Sequence, residues 1–236
     1  IDRDLKWLET PAKQPDLGAI KLFKAMHPRY INEEKMKSDE IPIKPQRLVS
    51  DLRKVLPSDT ILFADIGTSS AWVHYFDIYE PNTFFVNFGY SSMGHAVAGC
   101  IGAKLANPDS PVFALVGDGA FAMNGMEVHT AVEKNIPVVW VVINNGGFGI
   151  VHQGERMQFG GKFNTSVYSK PLEIAKIASG LGAKTFRIEN PKNLIPCFEQ
   201  SLKLKRPVVI DVIADISEGV PMEYRTKLLN KSFLET

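Results

Sequence analysis

Two cysteines are present in 236 residues, Cys100 and Cys197, far apart and outside any CxxC spacing. That count leaves no disulfide framework and argues against structural zinc or an iron–sulfur cluster; reduced, buried thiols are the expectation. Charge of one sign is also lacking: 27 basic and 26 acidic residues give a formal net charge of +1, with no long block of either. Neither nucleic acid nor an anionic membrane is therefore an expected partner. The apolar run around Pro137 to Ile143 falls far short of the roughly 20 residues that cross a bilayer, and no signal-peptide core is seen at the start. These absences together predict a soluble, cytoplasmic chain. No GxGxxG follows the first apolar run, which weighs against a dinucleotide site.

What is present is a core-forming composition, 44% apolar and 22% charged. Residues 1–45 mix charge, proline and scattered apolar side chains, and read as a linker arm with one or two short helices. From Gln46 the spacing of Leu48, Leu52, Val55 and Leu56 is helical, and a compact domain is expected over 46–216, followed by a tail at 217–236. Apolar runs at 61–65, 83–87, 111–119, 136–144, 183–188 and 207–214 read as strands, several without alternation, as parallel strands covered on both faces must be. Helical stretches at 68–79, 93–106, 126–133, 172–181 and 193–204 separate them. This order predicts a doubly wound α/β fold with a mainly parallel sheet, whose ligands sit where loops leave the carboxyl ends of the strands.

Those loops carry the chemistry. After Val116 comes Gly117-Asp118-Gly119, and after Ile143 comes Asn144-Asn145-Gly146-Gly147-Phe148-Gly149. Alone, each is an ordinary turn. Together they offer a carboxylate, an amide oxygen and a loop carbonyl, the sparse oxygen set that magnesium accepts when phosphates and water complete its shell. The glycines can also present backbone N–H groups to phosphate oxygens.

A GDG followed by NN, with 24 residues between Gly119 and Asn144, resembles the signature of the thiamine diphosphate-binding domain of thiamine-dependent enzymes. The stretches "IKPQRLV" (43–49), "SSMGHAVAGCIGAKLANPD" (91–109), "GDGAFAMNGMEVHTAVEKNIPV" (117–138) and "FGIVHQ" (148–153) resemble the acetolactate synthase branch of the pyruvate oxidase and decarboxylase group. The resemblance implies that Asp118, Asn145 and the Gly147 carbonyl bind Mg2+. It implies further that Gly117, Gly119, Ala120, Phe121 and Phe148, Gly149 and Ile150 surround the diphosphate, with Gly67, Thr68 and Ser69 of "DIGTSS" as a second contacting segment. Many relatives have a serine where this chain has Ala120. Met93 falls where the family places a large apolar residue that bends the cofactor into a V, and the Ser91 carbonyl where it accepts a bond from the cofactor's 4′-amino group. Gln153 matches acetolactate synthases and is a catalytic candidate. Relatives add a pyrimidine-binding and a middle domain, leave room for FAD in a further domain, and work as dimers or tetramers.

Other residues are given plainer readings. His74, His95, His129 and His152 share no metal-like spacing. Glu127 is expected to cap or brace the metal loop, Trp72 and Trp140 to be core, and Glu155 and Arg156 to follow the metal loop toward the active centre. Gly154 stands where biosynthetic acetolactate synthases carry tryptophan, and Val151 where decarboxylases place a glutamate. An apolar residue at the latter favours acyl transfer over simple decarboxylation. The expected activity is decarboxylation of a 2-oxo acid such as pyruvate with transfer of the acyl fragment. A decarboxylase or oxidase of the same group is the alternative, and a non-catalytic phosphate-binding module is a third.

Overall fold

The computed structural model describes residues 16–26, 29–162 and 165–220. The chain divides after Ile31. In the first unit Leu17–Met26 forms α1, begun by Asp16, whose Oδ1 accepts the Ala19 N–H at 3.0 Å; none of its side chains is buried.

The second unit runs from Asn32, earlier than the expected start at Gln46. Ile43 is fully buried and bridges Ala214, and Lys44 Nζ lies 2.7 Å from Asp215. Sequence periodicity could not show this, because the segment contributes one bridge residue and ion pairs and no repeating apolar face. The C-terminal segment is likewise built in as far as Val220: Glu218 pairs with Lys35 and Lys44 and accepts a bond from Gln46. The rest of the expected tail, 221–236, lies outside the described residues.

After α2 (Pro45–Val55) the order is β1 (Ile61–Ala64), α3 (Thr68–Trp72), β2 (Phe84–Val86), α4 (His95–Ala106), β3 (Val112–Gly117), α5 (Asp118–Asn124), α6 (Glu127–Glu133), β4 (Val139–Asn144), α7 (Gly149–Phe159), α8 (Ile174–Gly180), β5 (Lys184–Ile188), α9 (Leu194–Lys203) and β6 (Val208–Ile213). All six strands are parallel, in the order β2-β1-β3-β4-β6-β5. Every residue of β1 and β4 is buried, which the absence of alternation foretold. One face packs Phe63, Ala114, Val116, Trp140 and Val142 against Ala96, Val97, Cys100 and Ala131. Trp140 donates its indole N–H to the Val97 carbonyl at 3.0 Å, so a buried polar group is satisfied and the sheet is tied to α4. Both tryptophans named above are core, with Trp72 1% exposed and Trp140 fully buried. Two helices have no counterpart in the sequence reading, α5 and α7. Both start within the glycine-bearing loops, where loop composition masked them.

Successive strands step one way from β1 to β2 and the other way from β3 to β4, so the order reverses between β1 and β3. Loops leaving the carboxyl ends of strands diverge at such a reversal and open a crevice. No helix among the described residues is long and apolar enough to cross a membrane.

Candidate functional site

The crevice is a cleft of about 390 Å³, partly open to solvent. One wall is Ile66–Ser69 after β1, the second Gly117–Ala120 after β3, and the third Asn145 and Gly147–Val151 after β4, with Met93 closing one side. Gly67 has φ +125°, a conformation that a side chain would strain, and nothing lies within 4 Å of the position its Cβ would take, so its backbone borders open space.

Asp118 joins two of these walls. Its Oδ1 accepts the Gly119 N–H at 2.8 Å, and its Oδ2 accepts Gly146 N–H at 2.8 Å and Gly147 N–H at 3.1 Å. The side chain is 1% exposed. Burial pushes its carboxyl up to about 6, outweighing the three N–H groups that favour the charged form. A carboxylate has about four lone-pair sites, so these bonds leave it capacity.

The two asparagines divide their work because the first ends β4 and the second opens the loop after it. Asn144 is buried and donates through Nδ2 to the Leu172 carbonyl and Asp211 Oδ1, both at 2.9 Å. Asn145 lines the cleft, and its Oδ1 is buried without a hydrogen-bond partner. Leaving a buried acceptor unpaired costs about 1–3 kcal/mol, a cost that a bound cation removes. Gly147 lies in an antiparallel bridge with Val167, but the bonds there run from Phe148 N–H to Ser166 O and from Tyr168 N–H to Gly146 O, both 2.8 Å, and neither uses the Gly147 carbonyl. Among the described residues no cluster of three or more His, Cys, Asp or Glu could hold a metal. A metal here would rely on one carboxylate and neutral oxygens, which suits a hard cation that also takes phosphate oxygens.

The third wall is the N-terminus of α7. Its first turn closes with His152 N–H to Phe148 O at 2.9 Å, so the N–H groups of Gly149, Ile150 and Val151 precede the first intrahelical bond. They suit a phosphate. Close approach explains Gly149: a Cβ there would come within 2.6 Å of Asn145 Nδ2 and 3.0 Å of Thr68 Cγ2.

Glu155 braces this wall from behind. It is 8% exposed, accepts the hydroxyls of Thr165 and Ser166 (the latter at 2.6 Å), and these bonds hold its carboxyl below the usual range. Ser166 in turn receives Phe148 N–H. Tyr168 stacks edge-on against Phe148, and its hydroxyl would lie 3.2 Å from a Cβ on Gly119. The sequence carried no signal for Thr165, Ser166 or Tyr168, which lie outside every glycine motif.

The structure brings Gly67, Thr68, Ser69, Met93, Gly117, Asp118, Gly119, Ala120, Asn145, Gly147, Phe148, Gly149 and Ile150 to one cleft. Three expected site residues are not among those lining it. Phe121 is 1% exposed within the core, because the helix starting at Asp118 rotates it away from the cleft. Ser91 sits on an exposed turn, its N–H on the Asn87 carbonyl at 3.1 Å. Gln153 has its amide in a two-way pair with the Val220 backbone, at 2.7 and 2.9 Å. Ser69 lines the cleft, but its hydroxyl donates to the Asp65 carbonyl at 2.8 Å. Glu127 does not brace the metal loop; it is exposed and accepts the Thr130 hydroxyl at 2.9 Å. Arg156 is exposed on α7, and His152 Nδ1 is buried without a partner.

Comparison with known proteins fits this geometry. The family described as "Thiamine pyrophosphate enzyme, C-terminal TPP binding domain" matches residues 65–212. A "Probable acetolactate synthase large subunit" of Methanococcus aeolicus is 34% identical over 193 residues, covering 79% of this chain and 32% of the relative. The "Acetolactate synthase" of Bacillus subtilis (strain 168) is 32% identical over 177 residues, 75% of this chain and 31% of its own. An "Acetolactate synthase large subunit" of Corynebacterium glutamicum is 31% identical over 200 residues, 82% and 31% respectively. The chain thus spans about a third of the length of the curated relatives it matches.

Proposed function

The chain belongs to the thiamine pyrophosphate enzyme family as its C-terminal TPP-binding domain, and on that premise we propose that it is the diphosphate- and magnesium-holding part of an acetolactate synthase-like enzyme. That enzyme would decarboxylate a 2-oxo acid such as pyruvate and pass the acyl fragment to an acceptor. The observation that carries the reading is the cleft at the β1/β3 reversal, where buried Asp118 and the unpartnered amide oxygen of Asn145 meet the open N-terminus of α7.

In this reading Asp118, Asn145 and the Gly147 carbonyl hold Mg2+. Backbone N–H groups of Ala120 and of Gly149 to Val151 receive the diphosphate of thiamine diphosphate, the same molecule as thiamine pyrophosphate, and Gly67 and Thr68 border it. When bound, the cofactor supplies the nucleophilic carbon and electron sink that cleavage beside a 2-oxo acid's carbonyl requires. Met93 supports its rings from the apolar side. Val151, half exposed in the cleft wall, offers no proton at a place where one would favour release of an aldehyde. That favours carboligation over the decarboxylase and oxidase readings. A pyrimidine-binding and a middle domain would complete the enzyme, as a homo-oligomer, with FAD confined to one of those further domains.

The test is made on the full-length protein. Thiamine diphosphate should bind in a magnesium-dependent way where NAD and ATP do not, and incubation with pyruvate should yield acetolactate. Acetaldehyde as the main product would favour the decarboxylase reading. Equal binding of ATP without thiamine diphosphate binding would leave only a phosphate-binding module.

A further inference from the structure

Asp65, at the exit of β1, is 1% exposed and does not line the cleft. Its carboxylate nevertheless reaches across to the start of α4: Oδ1 accepts Gly94 N–H at 2.8 Å and Oδ2 accepts Ala96 N–H at 2.9 Å. Gly94 has φ +86°, and α4 receives no cap from the Gly94 side chain, since there is none. The cap comes from another strand. On its other side the Gly94 carbonyl accepts Asn124 Nδ2 at 3.2 Å, and a Cβ on Gly94 would meet Asn124 at 2.8 Å. Gly94, the residue after Met93, is therefore held through both its N–H and its carbonyl, from the exit of β1 and from the end of α5.

We propose that Asp65 and Asn124 are positioning residues for Met93, setting its height against the Gly67–Ser69 wall; this rests on Met93 serving as the cofactor's apolar support. The geometry favours that over simple helix capping. Oδ1 of Asp65 also accepts the Ile66 N–H at 2.8 Å, so one carboxylate fixes the first residue of one cleft wall and the residue after Met93 together. Asn124 performs the matching task from α5, whose first turn carries Asp118 and Gly119. The spacing of two walls and of Met93 thus converges on Gly94. Misplacing a reacting or supporting group by about 1 Å can cost on the order of a hundredfold in rate.

Full-length protein carrying Asp65→Asn or Asn124→Ala, alone and combined with Met93→Ala, tests this. Each single change should lower turnover by about tenfold or more while half-saturation by thiamine diphosphate moves by less than about threefold. In the Met93→Ala background neither change should lower turnover further, since groups acting through one another are not additive. Methionine-methyl NMR without cofactor gives a readout independent of activity: the Met93 resonance should shift or broaden in both single variants. Asn124 is exposed, so its variant remains informative if Asp65→Asn does not fold. Additive losses, or an unmoved Met93 resonance in Asn124→Ala, would overturn the inference. If Met93→Ala itself leaves turnover unchanged, the reading of Met93 as support fails instead.

Discussion

Asp118→Asn separates the proposed metal site from the fold. In the metal-free protein, burial raises this carboxyl from 3.8 to about 6, which amounts to about 3 kcal/mol against the charged form at neutral pH. A raised acid pKa makes the group's contribution most favourable below about 4, and that contribution is lost as pH rises through about 6. The amide escapes that cost. It has one acceptor oxygen, which can keep Gly146 and Gly147 N–H, but its NH2 then faces Gly119 N–H, a loss of about 1–3 kcal/mol. The two effects nearly cancel at pH 7, so the metal-free variant should melt within a few degrees of wild type. The difference in stability, variant minus wild type, should grow in the variant's favour by about 2 kcal/mol from pH 4 to pH 7. Ligand behaviour should diverge sharply. Magnesium and thiamine diphosphate at about 100 times their dissociation constant should stabilise wild type by about 2.7 kcal/mol, and the variant hardly at all, because magnesium has lost its carboxylate. Calorimetry of full-length protein, with and without both ligands, reads each quantity. A magnesium-dependent stabilisation equal to wild type in Asp118→Asn would refute the site.

Three further outcomes are expected. Met93→Ala should lower turnover more than cofactor affinity, because phosphate and metal contacts supply most of the binding; equal losses in a steady-state titration would make Met93 a packing residue. Gly149→Ala should leave folding stability within about 2 kcal/mol, since overpacking is offset by better helix propensity, yet weaken magnesium-dependent cofactor binding at least tenfold by driving into Asn145 Nδ2 at 2.6 Å; unchanged affinity by calorimetry would show that Asn145 need not stay where it is. The 236-residue chain by itself should show no steady carboligation of pyruvate with magnesium and thiamine diphosphate, because the proposed pyrimidine-binding domain that would complete the site is not in it. Turnover of about 1 per second or more would refute that.

Strand positions were legible because the central strands β1, β3 and β4 are nearly unbroken apolar runs, and a buried parallel strand admits little else. The cleft walls were legible for a different reason: glycine, aspartate and asparagine cluster at strand exits where backbone must approach a ligand. What those residues do was only half visible. Asn144 and Asn145 are identical letters, yet the one that ends β4 bonds Asp211 and the one that opens the loop lines the cleft. Phe121 sits inside the motif but on the buried face of α5, a helix that a glycine-flanked aspartate does not announce.

The supporting residues were the least legible, and for a physical reason. Asp65, Asn124 and Glu155 act through bonds to backbone groups 29, 30 and 10 positions away. A backbone acceptor or donor is present at every residue, so nothing at the far end of such a bond marks the sequence. Only the near end can be suspicious, and a buried carboxylate looks the same in sequence as an exposed one. The site is therefore written in two scripts: a local one of glycines and short polar residues that lines the cleft, and a distant one of carboxylates and amides that fixes where the first lies. Removing a residue of the second kind should disturb turnover with little change in the cofactor's own contacts, which is why comparing kcat with cofactor half-saturation, and not activity alone, distinguishes the two.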